Sequence, residues 1–300
     1  MKSPGARCLL GLVSACSLAL AGACGSSGSN GGSNQGGDGG SSGGSSSGGS
    51  GAKTTYYGAL ETFGSATTGY GILGHFDLVP PILPTTPCPW QTVGACCYQP
   101  PLDGGSVPGT TGTLEGPPVS AGTITVADGN ATVASLVADV QSPSEYRATP
   151  SAALHWSPGD QLTFSAPGDV VDAFTGSVTV VDDLVGVTPS LMGTGGLAVS
   201  TSADFTISWT PGTTSGAVVQ LFIADDEVQQ AISCYVPDSA GTVTAPKSLL
   251  ANFASGSTGT INVTRILVAT ATGGNVTAYL ESQTDATNGL TTGGGASFTP

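Results

Sequence analysis

The chain has 300 residues, with 6 basic and 20 acidic side chains and a formal net charge of −14. So acidic a surface repels phosphate backbones, and the composition therefore excludes nucleic acid as a partner. The 47 glycines and 20 prolines favour turns and short strands over long helices.

Residues 1–23 are predicted to be a secretion signal. Two basic residues precede an apolar run at 9–21, which is too short to stay in a bilayer as a permanent span. The small residues before Cys24 resemble the lipobox of bacterial lipoproteins, in which the cysteine becomes the acylated N-terminus. The resemblance implies lipidation at Cys24 and a membrane anchor; a second candidate, Cys16, follows a shorter apolar run. The alternative is cleavage after Ala23, which would release a soluble periplasmic protein.

The segment that follows Cys24 is predicted to be a disordered spacer. Every residue from 25 to 51 is Gly, Ser, Asn, Gln or Asp, so the segment has no apolar surface to bury. As a random coil it reaches roughly 30 Å. Residues 24–51 would thus hold a folded body away from a membrane, which places the protein in the cell envelope, at the outer membrane or the cell surface.

Four cysteines lie beyond this spacer: Cys88, Cys96, Cys97 and Cys234. In an oxidising compartment an even number predicts two disulfides. A bond between the adjacent Cys96 and Cys97 would strain the peptide between them. This leaves a local loop from Cys88 to Cys96 or Cys97, and a long bridge to Cys234. Free thiols are the alternative, and zinc is disfavoured because neither C-x-x-C spacing nor a nearby histidine pair exists.

Residues 52–188 are expected to form a β-rich N-terminal domain. The run "TTYYGALETF" at 54–63 opens it, and a short helix is expected near 134–140. The segment "VPPILPTTPCPW" at 79–90 has too many prolines for a central strand, so we expect a surface loop held by disulfides. Alternating apolar residues predict strands with one buried face at 122–126, 161–166 and 176–181.

Residues 189–300 are expected to form an Ig-like β-sandwich, because short strands recur there at regular spacing. The boundary is placed at Pro189, where the strand pattern is interrupted. The run "FTISWTPG" at 205–212 resembles the second strand of fibronectin type III domains, which implies that Trp209 packs between two sheets. The fold class is all-β, as a tandem or a single large sandwich. Strands are predicted near 197–200, 204–209, 217–224, 231–236, 241–245, 259–270 and 275–282, with a short helix at 247–253.

One motif is excluded by its context, and the two histidines do not form a site. The run "GYGILG" at 69–74 matches the dinucleotide-binding fingerprint, but Pro80 and Pro81 prevent the helix that would hold the pyrophosphate. His75 and His155 are the two histidines of the chain, and neither lies in a metal-binding arrangement. General-base catalysis by a histidine imidazole is therefore disfavoured.

Carboxylates cluster at predicted turns and strand ends. Solvated turn side chains are the ordinary interpretation, while calcium binding and glycoside hydrolysis by paired carboxylates are the alternatives. The clustered residues are Asp160, Asp169, Asp172, Asp182, Asp183, Asp225, Asp226 and Glu227.

The signal, the spacer and the strand pattern together predict a non-catalytic, surface-displayed lipoprotein that acts as a binding, adhesion or structural module. Its expected partners are the membrane, through the lipid, and an extracellular protein or polysaccharide. The alternative is an extracellular carbohydrate-active enzyme that uses paired carboxylates. Four aromatic side chains would form a binding platform or else fill a small core: Tyr56, Tyr57, Trp90 and Tyr98.

Overall fold

The structure is a computed structural model of the chain. It describes residues 54–65, 69–78, 80, 83–101, 119–139, 145–148, 154–191, 196–225, 230–285 and 294–300. The predicted signal, Cys24 and the spacer lie outside these residues. Within them the chain is almost entirely β, with one short helix, as expected for an all-β fold.

The described part of the chain has 18 strands. The strands before residue 189 are β1 (Tyr56–Ser65), β2 (Gly69–Asp77), β3 (Gln91–Val93), β4 (Cys96–Gln99), β5 (Ile124–Asp128), β6 (Ala131–Ala138), β7 (Glu145–Ala148), β8 (Gln161–Ala166), β9 (Phe174–Thr179) and β10 (Val185–Thr188). The later elements are β11 (Leu197–Ser200), β12 (Phe205–Thr210), β13 (Val218–Asp225), β14 (Gln230–Pro237), a 3-10 turn (Asp238–Ala240), β15 (Thr242–Ala245), α1 (Lys247–Leu250), β16 (Thr258–Thr272), β17 (Val276–Asp285) and β18 (Gly294–Thr299).

A large sheet of 15 strands organises the molecule. Its main path runs β3-β4-β14-β13-β16-β17-β1-β2-β7-β6-β5-β8-β9, and β11 and β18 join it at the side of β16. A second sheet has the order β10-β12-β15. Almost all neighbouring pairs are antiparallel, but β1 lies parallel to β17 and β11 lies parallel to β18.

The first hydrophobic core lies where the large sheet folds back on itself. Strand β9 packs against β16, so closely that a side chain at Gly176 would collide with Ala271. Leu60 and Leu280, on the parallel strands β1 and β17, face Phe164 and Val178 across this core. Period-2 alternation delivers these residues to one side of each strand, which confirms the strands predicted at 122–126 and 161–166.

The second core lies between the other end of the large sheet and the small sheet. Val219, Leu221 and Ile232 of the large sheet pack with Ile207 and Trp209 of β12, and α1 adds two buried leucines. Trp209 is therefore buried between two sheets.

The packing of the two cores crosses the predicted domain boundary in both directions. Ala271 and Leu280, from the C-terminal part, belong to the first core, and Cys96 and Leu184, from the N-terminal part, belong to the second. Division of the chain into 52–188 and 189–300 stays a prediction.

Both predicted disulfide bridges are present. Cys88 is bonded to Cys97 as the local loop, and Cys96 is bonded to Cys234 across 138 residues. The long bridge joins neighbouring strands of the large sheet, β4 and β14, at residues in register. It attaches the proline-rich region to the second core.

One local prediction is wrong. The segment near 134–140 is not helical, because Ala131–Ala138 forms strand β6, with Ala134 and Leu136 pointing into the first core. Its short apolar run fits both the 3.6-residue period of a helix and the two-residue period of a strand, and pairing with β5 and β7 makes it a strand. The helix predicted at 247–253 is present in its first turn as α1. Among the described residues no helix is long and apolar enough to cross a membrane.

Candidate functional site

The side of the large sheet that faces away from both cores is polar over β14, β13, β16, β17 and β1. We call this side the polar face. Its residues alternate with core residues along each strand: Glu61 follows Leu60, and Glu281 follows Leu280. Amide, hydroxyl and carboxyl side chains of the polar face are aligned across neighbouring strands, and most of them are buried: Glu61, Gln220, Asn262, Thr264 and Gln283.

One end of the polar face carries two rows of polar side chains in register. The first row joins Tyr235, Gln220, Thr264 and Asp285 on four successive strands. Gln220 Nε2 donates to the Tyr235 hydroxyl at 2.9 Å, and Thr264 Oγ1 donates to Asp285 Oδ1 at 2.6 Å. The register thus places donors and acceptors side by side.

The second row joins Ser233, Phe222 and Asn262. Phe222 is half-buried and lies in register between the two polar residues. The two rows together are called the amide patch, which consists of Gln220, Phe222, Ser233, Tyr235, Asn262, Thr264 and Asp285.

Asn262 carries the most informative atom of the amide patch. The residue is 4% exposed, and its Oδ1 has no hydrogen-bond partner within the part of the chain that the structure describes. A buried acceptor without a donor costs about 1–3 kcal/mol. A donor from a bound molecule would remove this cost, and so the atom directs attention to this end of the face.

Two glutamates face each other further along the polar face. Glu61 of β1 and Glu281 of β17 are in register on parallel strands, which lie about 4.8 Å apart. Gln283 Nε2 donates to Glu61 Oε2 at 3.1 Å, so Gln283 holds the Glu61 carboxyl on this face.

The protonation of this pair is set by its surroundings. Burial, and after it the like charge of Glu61, together raise the pKa of Glu281 from 4.5 to about 8. At neutral pH Glu281 is therefore mostly a carboxylic acid, which can donate a hydrogen bond. Burial also raises the pKa of Asp285 in the amide patch, although the Thr264 hydroxyl opposes that shift.

Three of the carboxylates predicted from the sequence accept structural hydrogen bonds: Asp160, Asp182 and Asp225. Asp182 accepts hydrogen bonds from the backbone N–H and the hydroxyl groups of Thr213 and Thr214. Burial would raise the pKa of Asp182, but these hydrogen bonds outweigh it and hold the pKa below its usual value. Asp160 accepts from the backbone N–H of Ser157 at 2.6 Å, which closes a turn.

Asp225 is buried and accepts from the hydroxyl of Ser257 at 2.7 Å. Asp226 and Glu227, which follow it, lie outside the described residues. Within the described part of the chain no three His, Cys, Asp or Glu side chains are grouped to hold a metal ion.

The predicted aromatic residues do not share one platform. Tyr56 packs against the first core, while Tyr98 packs against the second and donates to Gln230 Oε1 at 2.8 Å. The ring of His155 lies 5.6 Å from that of Tyr70. The "GYGILG" run forms strand β2, which has no phosphate-binding turn.

Sequence reasoning missed the polar face because its members come from distant segments. A signal is nevertheless present in "TINVTRIL", where Asn262 and Thr264 alternate with Ile261 and Val263. The partners of that strand could not be inferred from the pattern alone.

No family model matches the chain, and no curated protein sequence matches it.

Proposed function

We propose that this protein is a non-catalytic binding module, displayed from a bacterial cell envelope by an acylated Cys24 and a Gly/Ser tether, and that its amide patch binds a neutral polysaccharide. The Ig-like character of residues 189–300 is part of the proposal, supported by the burial of Trp209 between two sheets. The observation that carries the binding function is the unpartnered Oδ1 of Asn262 beside a half-buried aromatic ring.

The chemistry of the amide patch suits a sugar. Amide and hydroxyl groups both donate and accept, as sugar hydroxyls require, and Asn262 Oδ1 offers an acceptor to one of them. The ring of Phe222 offers an apolar surface to the C–H groups of a pyranose. No basic side chain belongs to the patch, and the net charge of −14 disfavours anionic polymers.

A panel of immobilised polysaccharides tests the binding function. The panel contains neutral glucans and galactans, anionic polygalacturonate and cationic chitosan, and the chain from Cys24 to Pro300 is applied to each. We expect retention on at least one neutral polymer and none on polygalacturonate. Retention on chitosan alone would contradict the proposal, because it would reflect general attraction to an acidic protein.

The anchor has its own test, which uses a variant outside the binding surface. In cells that export the chain, the native protein is expected in the membrane fraction and Cys24→Ala in the soluble fraction. Mass spectrometry of the mature N-terminus is expected to find an acylated cysteine. An unmodified Cys24 at the N-terminus would instead indicate a soluble periplasmic protein cleaved after Ala23.

A second candidate function is supported by the facing carboxyl groups of Glu61 and Glu281. A protonated acid beside an ionised carboxylate is the arrangement of retaining glycosidases, in which one group protonates the leaving oxygen and the other attacks the sugar. Release of reducing ends from a bound polymer, abolished by Glu281→Gln and by Glu61→Gln, would favour this enzyme. Binding without release favours the binding module.

A further inference from the structure

We infer that the ladder between β1 and β17 is a mechanical joint: its hydrogen bonds bear the tension between the membrane tether and a ligand held at the amide patch. This inference rests on the proposed function for the source of the tension. The geometry of the joint rests on the described residues alone.

The tether enters the fold at the start of β1. Tyr56, the first residue of β1, is aligned with Val276, and its backbone N–H donates to the carbonyl of Asn275 at 2.8 Å. From there β1 runs parallel to β17 through eight residue pairs, which end at Phe63 and Gln283. On its other side β1 pairs with β2 from Tyr57 to Ser65.

The amide patch lies at the opposite end of the same ladder. Its member Asp285 is the last residue of β17, nine residues beyond Val276, which corresponds to about 30 Å along an extended strand. The chain terminus lies at that end as well, because β18 pairs with Thr258–Ile261 of β16, beyond the pairing of β17. Tether and patch therefore pull in opposite directions along the strand axis.

A pull along this axis loads the ladder in shear. When a strand is drawn lengthwise past its neighbour, the hydrogen bonds along the ladder bear the force together, whereas a sideways pull breaks them one after another. Because β1 and β17 are parallel, tension from the N-terminus on β1 and from the far end on β17 is of the shearing kind.

Side-chain bonds reinforce the same ladder. Thr62 Oγ1 donates to the carbonyl of Glu281 at 3.1 Å, and Gln283 Nε2 donates to Glu61 Oε2 at 3.1 Å. Both bonds cross from one strand to the other and lie near the middle or far end of the ladder. They tie β1 to β17 beyond the backbone pairing.

Single-molecule force spectroscopy tests the joint by changing only the direction of pull. In one geometry the Cys24–Pro300 chain is held at Cys24 and at Pro300→Cys. In the other it is held at Cys24 and at Thr272→Cys, an exposed position beside the start of β17. A pull between these two points separates β1 from β17 sideways. We expect a rupture force several times larger in the first geometry, since forced unfolding follows the unfolding barrier of the loaded direction.

A second pair of variants locates the rupture in this ladder. Raising the pH from 6 to 9.5 ionises Glu281 beside Glu61 and is expected to lower the rupture force of the first geometry. Glu281→Gln should remove that decrease, while Glu145→Gln, an exposed glutamate on β7, should leave it in place.

Equal rupture forces in the two pulling geometries would overturn the inference, and so would a decrease that persists in Glu281→Gln. Because no saccharide is present in this experiment, its failure is distinguishable from failure of polysaccharide binding.

Discussion

The guanidinium of Arg265 donates to Asp238 Oδ1 at 2.9 Å, and the two side chains are 0% and 4% exposed. The same guanidinium donates to the carbonyl groups of Asp182, Asp183 and Thr210. Arg265 lies on β16 between the two cores. From one buried position it therefore donates hydrogen bonds to the loop after β9, the end of β12 and the 3-10 turn.

Loss of Arg265 is predicted to be severely destabilising. Arg265→Met leaves the buried carboxylate of Asp238 and three backbone carbonyls without this donor, so the free energy of unfolding should fall by about 3–5 kcal/mol. Urea denaturation measures the change. Arg147→Met is the matched control, because Arg147 is exposed and pairs with Glu145 only at 3.7 Å; it should change stability by about 0.5 kcal/mol or less. Similar values for both variants would show that the buried network contributes little.

Stability is predicted to fall as the pH rises from about 4.5 to about 8. Because the pKa of Glu281 is raised to about 8 by burial and by Glu61, the folded state keeps this proton after the unfolded chain has lost it. The contribution is fully present below pH 4.5 and is lost as the pH rises through 8, with a slope of at most about 1.4 kcal/mol per pH unit.

The variant Glu281→Gln isolates this proton from others on the polar face. Besides Glu61, the charged or titratable groups on this side of the neighbouring strands are Tyr57, His75, Asp77, Glu145, Arg147, Tyr279 and Asp285. These remain in the variant, so the difference between the two pH profiles belongs to Glu281. Parallel profiles for the native protein and the variant would contradict the shifted pKa.

The two disulfides are predicted to contribute unequally. In the chain-entropy view, the 138-residue separation of Cys96 and Cys234 is worth about 5 kcal/mol and the 9-residue separation of Cys88 and Cys97 about 3 kcal/mol. Paired replacement by alanine, Cys96→Ala with Cys234→Ala against Cys88→Ala with Cys97→Ala, followed by denaturation, measures both. A larger loss from the short loop would be inconsistent with this order.

Replacement of Asn262 is predicted to separate stability from binding. Asn262→Val removes the unpartnered buried acceptor and suits a strand interior, so the protein should be at least as stable as the native one. Binding of a neutral polysaccharide should be lost. Thermal denaturation and retention on the polymer measure the two effects. A destabilised variant that still binds would give Asn262 a structural role instead.

Much of the local structure could be predicted from the sequence, because it follows from alternation and turn residues. The strand at 204–209 is recognisable from Phe205, Ile207 and Trp209 on one face, and the structure begins it at Phe205. The long bridge to Cys234 also follows from the even number of cysteines and the exclusion of a bond between Cys96 and Cys97.

The site could not be predicted in the same way, because it depends on pairing between distant segments. Glu61 and Glu281 are 220 residues apart in the chain, and only the parallel register of β1 with β17 brings them together. Nor does any local pattern reveal that Arg265 would donate to the loop after β9, the end of β12 and the 3-10 turn. Carboxylates at turns, such as Asp182, are easier to find but serve the backbone here.

The most direct test of the binding function is the dissociation constant for a neutral polysaccharide retained in the panel, measured by calorimetry for three proteins. Phe222→Ala should weaken binding about tenfold or more, a loss of about 1.4 kcal/mol or greater. Thr270→Ala, on the same face but away from the amide patch, should bind as the native chain does. Unchanged affinity of Phe222→Ala, or equal loss in both variants, would contradict binding at the amide patch.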